Sequence, residues 1–281
     1  MLYQDTSFQR VCVTTVIAAI HVLILVASRD LGAALLFFVT YVVMLYVATK
    51  KLLYFAGGLA AGSAASVVAY HLFSHIRVRV RAWQNPLAYI DKEGYQISQS
   101  LFAIGTGGWF GMGLYQGLPD KIPVVKQDFI FSAVSEELGG IFALCLIMVC
   151  FSCFLMFLNI AMQMKDQFYK LVALGLGTIY AFQVFLTIGG VTKFIPSTGV
   201  TLPLVSYGGS SLLSSMIIFA VIQGLYILRQ DEGEINASKS RKNRQNRKRQ
   251  PDSKTQTSKT SRKTTGNLRS LPMQFLYFLS A

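Results

Sequence analysis

Charge is scarce in this chain. Asp, Glu, Lys and Arg make up 14% of its 281 residues, against 53% hydrophobic, whereas a soluble domain carries about 25% charged residues. With a mean hydropathy of +0.47, that balance excludes a soluble globular enzyme and a wholly disordered chain. Histidine and cysteine are few: His21, His71 and His75; Cys12, Cys145, Cys150 and Cys153. No H-E-x-x-H and no Cys/His zinc spacing occur. His21 and His71, in or at the end of apolar runs, read as packing or interfacial residues. Cys150 and Cys153 form a C-x-x-C inside an apolar run with no His or acid beside it, and read as small lipid-compatible side chains. A disulfide scaffold is excluded. No G-x-S-x-G elbow is present, which leaves a Ser-His-Asp triad without support. The first apolar run lacks a basic start and a small-residue cleavage site, so no cleavable signal peptide is expected.

Long apolar runs are what the chain has. Six uncharged stretches cover roughly 11–27, 31–48, 52–73, 139–162, 171–190 and 206–228. As helices they are about 25–36 Å long, the thickness of a bilayer core. Backbone polar groups in lipid must be satisfied internally, so these stretches are expected to be helices. The first two form a hairpin across Ser28, Arg29 and Asp30. A further uncharged stretch, 97–118, holds Gly105, Gly107, Gly108, Gly111, Gly113 and Gly117. Each glycine costs about 1 kcal/mol in a helix relative to Ala, so this stretch is read as a re-entrant or interfacial element packed on protein. It is not a nucleotide loop: Phe110 stands where G-x-G-x-x-G needs its third glycine, and no Lys-Ser/Thr follows. The expected fold is an all-α integral membrane protein of about six transmembrane helices. It has a membrane domain over 1–228, a large outer loop over 74–138 containing short helices, and a disordered basic tail over 229–281.

That tail dominates the charge. It holds 13 of the 26 Lys and Arg and 4 of the 13 Asp and Glu, hence +9 of the net +13. Beside a membrane span it marks the cytoplasmic side and suits anionic lipid; with no folded reader module, no nucleic-acid partner is expected. Counting back from a cytoplasmic tail places 165–170, with Lys165 and Lys170, inside. The loop 191–205 and the region before Leu138 then lie outside, while Lys50, Lys51 and the N-terminus lie inside. Arg77, Arg79 and Arg81 then sit outside, against the positive-inside bias, which implies that they have work to do there. The outer loop 74–138 carries six of the nine acidic residues outside the tail, and long ordered loops on rigid scaffolds tend to carry function.

Two stretches could hold chemistry. In Asp128-Phe129-Ile130-Phe131 a carboxylate precedes a bulky apolar triplet and a membrane helix. Two readings fit Asp128: a partly desolvated general base, or an N-cap. Glu136 and Glu137 read as helix-start charges favoured by the macrodipole. On one helix Asp128 and Glu136 would be about 12 Å apart along the axis and would not chelate one ion together. The second stretch runs from Gly189 to Ser211, rich in glycine and hydroxyls, suited to a phosphate or sugar or to close helix packing. Packing is the reading for Gly208, Gly209 and Ser211; Ser206 and Lys193 fit either.

These pieces resemble the SEDS proteins, the FtsW, RodA and SpoVE group. The matching residues are Ser28-Arg29-Asp30-Leu31-Gly32; Gly94-Tyr95-Gln96 with Gln99-Ser100; Ala103 through Gly113; Asp128 through Phe131 with Glu136-Glu137-Leu138-Gly139; and Gly189-Gly190 to Ser211, including Pro196 through Gly199 and Ser206 through Ser211. They run in family order across about 28–228. The resemblance implies a peptidoglycan glycosyltransferase at the outer face of the bacterial cytoplasmic membrane, acting on lipid II in division, elongation or sporulation. Its implied partners are a class B penicillin-binding transpeptidase and other divisome or elongasome membrane proteins. Asp128 is the implied catalytic residue. Arg79, Arg81, Lys126, Lys193, Ser197, Thr198 and Ser206 are candidate substrate contacts, the cations steadying a departing pyrophosphate. No cofactor is required, although a divalent cation, Mg or Mn, would serve the same role. Two departures stand out: Arg29 replaces the family's proline, and the chain begins near the fifth of about ten family spans. A chain lacking that half is expected to insert but to be weakly active alone. The competing readings are a lipid II flippase and a non-catalytic scaffold, neither of which needs a base at the outer surface.

Overall fold

A computed structural model describes residues 8–249. The described residues are helical, with no strand among them. Eight α-helices follow in order: α1 (Phe8–Ala27), α2 (Leu31–Thr49), α3 (Leu52–Leu72), α4 (Ser74–Gln84), α5 (Tyr95–Gly107), α6 (Ile130–Gln163), α7 (Gln167–Val191) and α8 (Gly209–Arg249). Six are long and apolar enough to cross a membrane: α1, α2, α3, α6, α7 and the Gly209–Gln230 part of α8. They match the six expected runs, and α4 and α5 are the short helices of the expected outer loop. The protein is a multi-pass membrane protein.

The α1–α2 hairpin turns on Arg29, whose φ of 63° reverses the chain, and on Asp30, whose carboxylate accepts from the Ala33 N–H at 3.0 Å. An Asp N-cap of this kind satisfies one of the orphan donors that open a helix. α7 is the centre of the membrane body, with α2, α5 and α6 packed on it. Its small residues set the distances. A Cβ at Gly175 would lie 2.9 Å from the Met44 sulfur of α2, and one at Gly177 would lie 3.3 Å from Phe157 of α6. Phe157, Tyr180 and Phe219 pack ring on ring at centroid separations of 5.1–5.6 Å, tying α6, α7 and α8 together. Edge-on aromatic pairs of this spacing add about 0.5–1.5 kcal/mol each to their burial.

The apolar run 139–162 is only part of a longer element. Helical structure begins at Ile130 and breaks once, at Gly139, with φ 87° and ψ 169°. The glycine-rich stretch after α5 docks backbone to backbone on that break. Gly140 N–H donates to Gly108 O at 2.8 Å, Ile141 N–H to Trp109 O at 3.2 Å, Met112 N–H to Glu136 O at 2.9 Å and Gly113 N–H to Glu137 O at 3.0 Å. The stretch is thus packed on protein, as its glycine content suggests. Glu136 differs from its expected place. It is not a helix-start charge: 7% exposed, it precedes the break, and its carboxylate accepts from the Leu118 N–H at 3.2 Å.

The tail also departs from expectation. The backbone is helical as far as Arg249, where disorder from 229 was expected. Extending an existing helix adds one hydrogen bond per residue fixed and needs no new nucleus, and the Lys, Arg, Gln and Ala content favours it. Residues 250–281, the rest of the expected disordered tail, lie outside the described residues.

The break makes a test. A Cβ at Gly139 would fall 2.4–2.5 Å from backbone atoms of Trp109, Phe110 and Gly111, and φ is in the glycine region. Gly139→Ala is expected to cost about 3 kcal/mol or more, read as a lowered Tm in detergent. Gly105 of α5 has nothing within 4 Å of its Cβ position, so Gly105→Ala is expected to be neutral or to stabilise by about 0.5–1 kcal/mol. Equal effects of the two substitutions would contradict this account of the break.

Candidate functional site

Asp128 lies just before α6, and the residues after it hold it in place. Phe129 is 1% exposed and Phe131 4%. Both sit in a cluster with Ala103 of α5, Ile122, Val125, Ala143 of α6 and Val191 at the end of α7. Two buried aromatics therefore fix the backbone while the carboxylate stays at the rim. Beneath them Ser100 bridges the elements: its hydroxyl donates to Val191 O at 3.0 Å and lies 2.7 Å from the Ser132 hydroxyl.

The structure removes one of the two readings of Asp128, the N-cap. The residue at the N-cap of α6 is Phe129, with no side-chain cap. The Asp128 carboxylate makes no hydrogen bond among the described residues and is not a cap. It is half-buried, and its pKa is raised above its ordinary value; desolvation is the main cause, opposed by the positive charge of Arg79. A carboxyl so placed gains basicity without losing its charge to a tight partner.

Arg79 comes from α4. Three arginines alternate along that helix, at 77, 79 and 81, and a helix turns successive alternate residues to opposite sides. Arg79 shares a face with Trp83, one turn on. Trp83 Nε1 donates to Lys193 O at 3.0 Å, and Arg79 Nη1 donates to Ser197 O at 3.1 Å. This pins α4 along the loop after α7. Arg77 instead donates to His71 O at 2.7 Å, and Arg81 is exposed on the side away from the loop. The structure therefore brings Arg79 to Asp128 and leaves Arg81 apart.

The loop 192–208 closes the site. Thr187 donates to Val200 O and Gln183 to Thr201 O, both at 2.9 Å. The Thr201 and Ser211 hydroxyls meet at 2.6 Å. Gly32, at the start of α2, touches the same loop: its Cβ would fall 3.1 Å from Thr198 O and 2.5 Å from Val200. Gly199 lies against both charges. Its φ is +78°, and its Cβ position lies 3.6 Å from Asp128 Oδ2 and 3.8 and 3.9 Å from the two Arg79 terminal nitrogens. Base and cation thus border one spot that carries no side chain.

The remaining candidates divide. Thr198 carries a buried hydroxyl with no partner, next to Gly199, and its neighbour Ser197 offers its carbonyl to Arg79. Lys193 takes φ +62° in the turn that leaves α7. The Lys126 side chain is exposed, while its carbonyl accepts from the Tyr207 N–H at 2.8 Å. Ser206 is buried, and its hydroxyl accepts from the Leu202 N–H at 2.8 Å; it braces the loop. Gly199 and Trp83 belong to the site but were not among the sequence candidates. Pro-Ser-Thr-Gly carried a signal for the first, since a glycine ending a hydroxyl run marks a positive-φ turn. Nothing in sequence marked Trp83. For a cation, the donor set is thin: among the described residues no group of three His, Cys, Asp or Glu comes together, and Asp128 stands with Arg79 and without a second carboxylate.

The chain is 43% identical over 203 residues to "Peptidoglycan glycosyltransferase RodA" of Mycobacterium bovis, covering 72% of this chain and 43% of the relative. It is 38% identical over 207 residues to "Stage V sporulation protein E" of Bacillus subtilis, covering 71% and 55%. It is 34% identical over 205 residues to "Probable peptidoglycan glycosyltransferase FtsW" of Aeromonas salmonicida, covering 71% and 52%. The chain thus spans about half the length of these relatives. Its fold matches a chain from a solved peptidoglycan synthase complex, with TM-score 0.62, 22% identity and coverage of 77% of this chain and 60% of the other. Residues 3–230 match the cell cycle protein family of FtsW, RodA and SpoVE, and the chain belongs to that family.

Proposed function

We propose that this chain carries the catalytic half of a peptidoglycan glycosyltransferase that polymerises lipid II, with Asp128 as general base. The observation that carries the reading is the half-buried Asp128 carboxylate, free of hydrogen-bond partners, within the field of Arg79 and bordered, like it, by the bare backbone of Gly199. A flippase or a scaffold has no need of a basic carboxylate poised at a membrane rim. The names of the relatives supply the substrate class.

The chemistry asks little else of the protein. The acceptor sugar's 4-hydroxyl gives its proton to Asp128 as its oxygen attacks the donor's anomeric carbon. The bond from that carbon to the undecaprenyl pyrophosphate breaks, and the electron pair leaves with the phosphate. General-base assistance of this kind contributes about 10²–10⁴-fold. Arg79, already hydrogen-bonded to the loop, places a fixed positive charge where the leaving group gains negative charge, at no reorganisation cost. The orphan Thr198 hydroxyl, next to Gly199, supplies a donor for a phosphate or sugar oxygen. This assignment puts Asp128, Arg79 and loop 192–208 at the outer face and the basic residues after Leu228 in the cytoplasm, in accord with the positive-inside bias. A penicillin-binding transpeptidase is the proposed partner, since new strands must be crosslinked.

Three measurements test the reading on the membrane-assembled complex with its transpeptidase, followed by gel analysis of glycan from lipid II. Asp128→Asn is expected to abolish polymerisation, with a loss of about 10²-fold or more, while insertion and Tm are kept; wild-type turnover in this variant would refute a base. Gly199→Ala is expected to lower kcat about tenfold or more by occupying the space beside both charges at a strained φ. Unchanged kcat would show that the chemistry does not use that space. The base works only when ionised, so activity falls as pH drops through the raised Asp128 pKa, at higher pH than an ordinary carboxylate would give. Arg79 lowers that pKa, so Arg79→Gln is expected to move the acid limb to still higher pH. A limb that stays in place would separate Arg79 from Asp128 electrostatically.

A further inference from the structure

A second concavity opens beside Asp128 and is not used by the chemistry above. It has a volume of about 400 Å³ and is formed by the segment 120–127 and Tyr207. Its walls are built rather than incidental. The Tyr207 N–H donates to Lys126 O at 2.8 Å and the Gln127 N–H to Val124 O at 3.0 Å. From α5, Gln96 Nε2 donates to Pro123 O at 2.9 Å. Val124 is held at φ +52°. A β-branched residue in that region is a costly outlier, and such strain collects at functional sites. Ile122 and Val125, 3% and 7% exposed, anchor the segment in the cluster beneath Asp128.

The lining has a definite chemical character. Tyr207 is 76% exposed and presents an aromatic ring. With it the recess is lined by Asp120, an acceptor; Lys126, a donor; and Gln127, which is both. An apolar ring face combined with mixed donors and acceptors fits a polyhydroxylated ring with one apolar face, which is a pyranose. A phosphate would want the cations without the carboxylate and the ring; an acyl chain would want neither amide nor carboxylate.

We propose that this recess is a saccharide subsite, in which Tyr207 stacks on a sugar of the glycan chain while Asp120, Lys126 and Gln127 bind its hydroxyl and acetamido groups. The proposal rests on the glycosyltransferase reading for its substrate class and adds the place where the chain is gripped. Gln127 precedes Asp128 directly, so a sugar held here is delivered next to the base. Subsite binding outside the reacting pair is what lets a polymerase keep its product between additions.

The test uses two independent readouts. The first is fluorescence polarisation of a labelled β-1,4-linked N-acetylglucosamine tetramer, which carries no pyrophosphate and cannot react, on the purified complex. Tyr207→Ala is expected to weaken binding about tenfold or more, whereas Tyr207→Phe and Asp128→Asn bind within about threefold of wild type. Gln127→Ala, which removes only a side-chain amide at an exposed position, is expected to weaken binding severalfold at unchanged Tm and guards against misfolding of the Tyr207 variant. The second readout is the length of glycan made from lipid II, expected to shorten in Tyr207→Ala. No tetramer binding by the wild type, or binding equal to wild type by both Tyr207→Ala and Gln127→Ala at wild-type Tm, overturns the subsite. So does a Tyr207→Ala complex that binds the tetramer normally but sheds its transpeptidase, because the recess is then a protein contact. Tetramer binding that depends on Tyr207 in a complex making no glycan would instead sink the polymerase reading and leave the subsite standing.

Discussion

The site depends on a contact that contains no side chains. At Gly139 the backbone of α6 leaves helical geometry, and the glycine stretch after α5 fills the opening with its own backbone. Gly107, Gly111 and Gly139 each bring a Cβ position within 2.7 Å of main-chain atoms across that contact, so a side chain at any of them would force the two segments apart. Helix ends and breaks leave polar groups that need partners. Here the loop supplies them, and in return it is ordered without a hydrophobic core of its own. Glu136 completes the joint by accepting from Leu118. Because the break is closed in this way, the short piece 130–138 can stand at its own angle on the spanning part of α6. That piece fixes Asp128.

Once the joint is rigid, the electrostatics follow from placement. Asp128 is charged, short of hydrogen bonds and partly removed from water, which is costly unless the surroundings hold it there. Phe129 and Phe131 provide the holding by burial, and Arg79 offsets the cost by its charge without taking a hydrogen bond. An ion pair in contact would have quenched the carboxylate's basicity; a cation beyond reach would have left nothing for a leaving group. Trp83 and Ser197 anchor α4 to the loop and so keep Arg79 near Asp128 without an ion-pair contact.

Much of this was legible in the sequence, and the limits have physical causes. The six spans follow from run length alone and agree to within a few residues, the usual ambiguity of helix ends, except where α6 starts nine residues early. That extension was hidden because Asp128 through Glu137 is polar and apolar by turns, while Gly139-Gly140 reads equally as a kink, a cap or a packing site. Asp128 could be singled out from its apolar triplet, but its N-cap alternative could be removed only by seeing which residue occupies the cap. The arginines were harder. R-x-R-x-R has the period of a strand, and the choice of Arg79 over Arg81 needs both the helical state of α4 and the loop it lies against. Glu136 was misjudged for a similar reason: a glutamate near a helix start usually meets solvent and the helix dipole, and its burial under Gly117 depends on a loop eighteen residues upstream.

The helix α4 also bears on the orientation proposed for the chain. Three arginines within five residues on an outer face oppose the positive-inside bias, which concerns charges free to choose a side. Arg77 and Arg79 are not free: each donates to a backbone carbonyl, at His71 and at Ser197, and the second also answers the charge of Asp128. Of the three only Arg81 remains unassigned; with it, Arg29, Lys92, Lys121, Lys126 and Lys193 fall on the outer side, against a proposed cytoplasmic side carrying Lys50, Lys51, Lys165, Lys170 and the 13 basic residues after Leu228. The bias summed over the chain therefore still points the same way, and its local violation falls on the helix that the proposed chemistry needs outside.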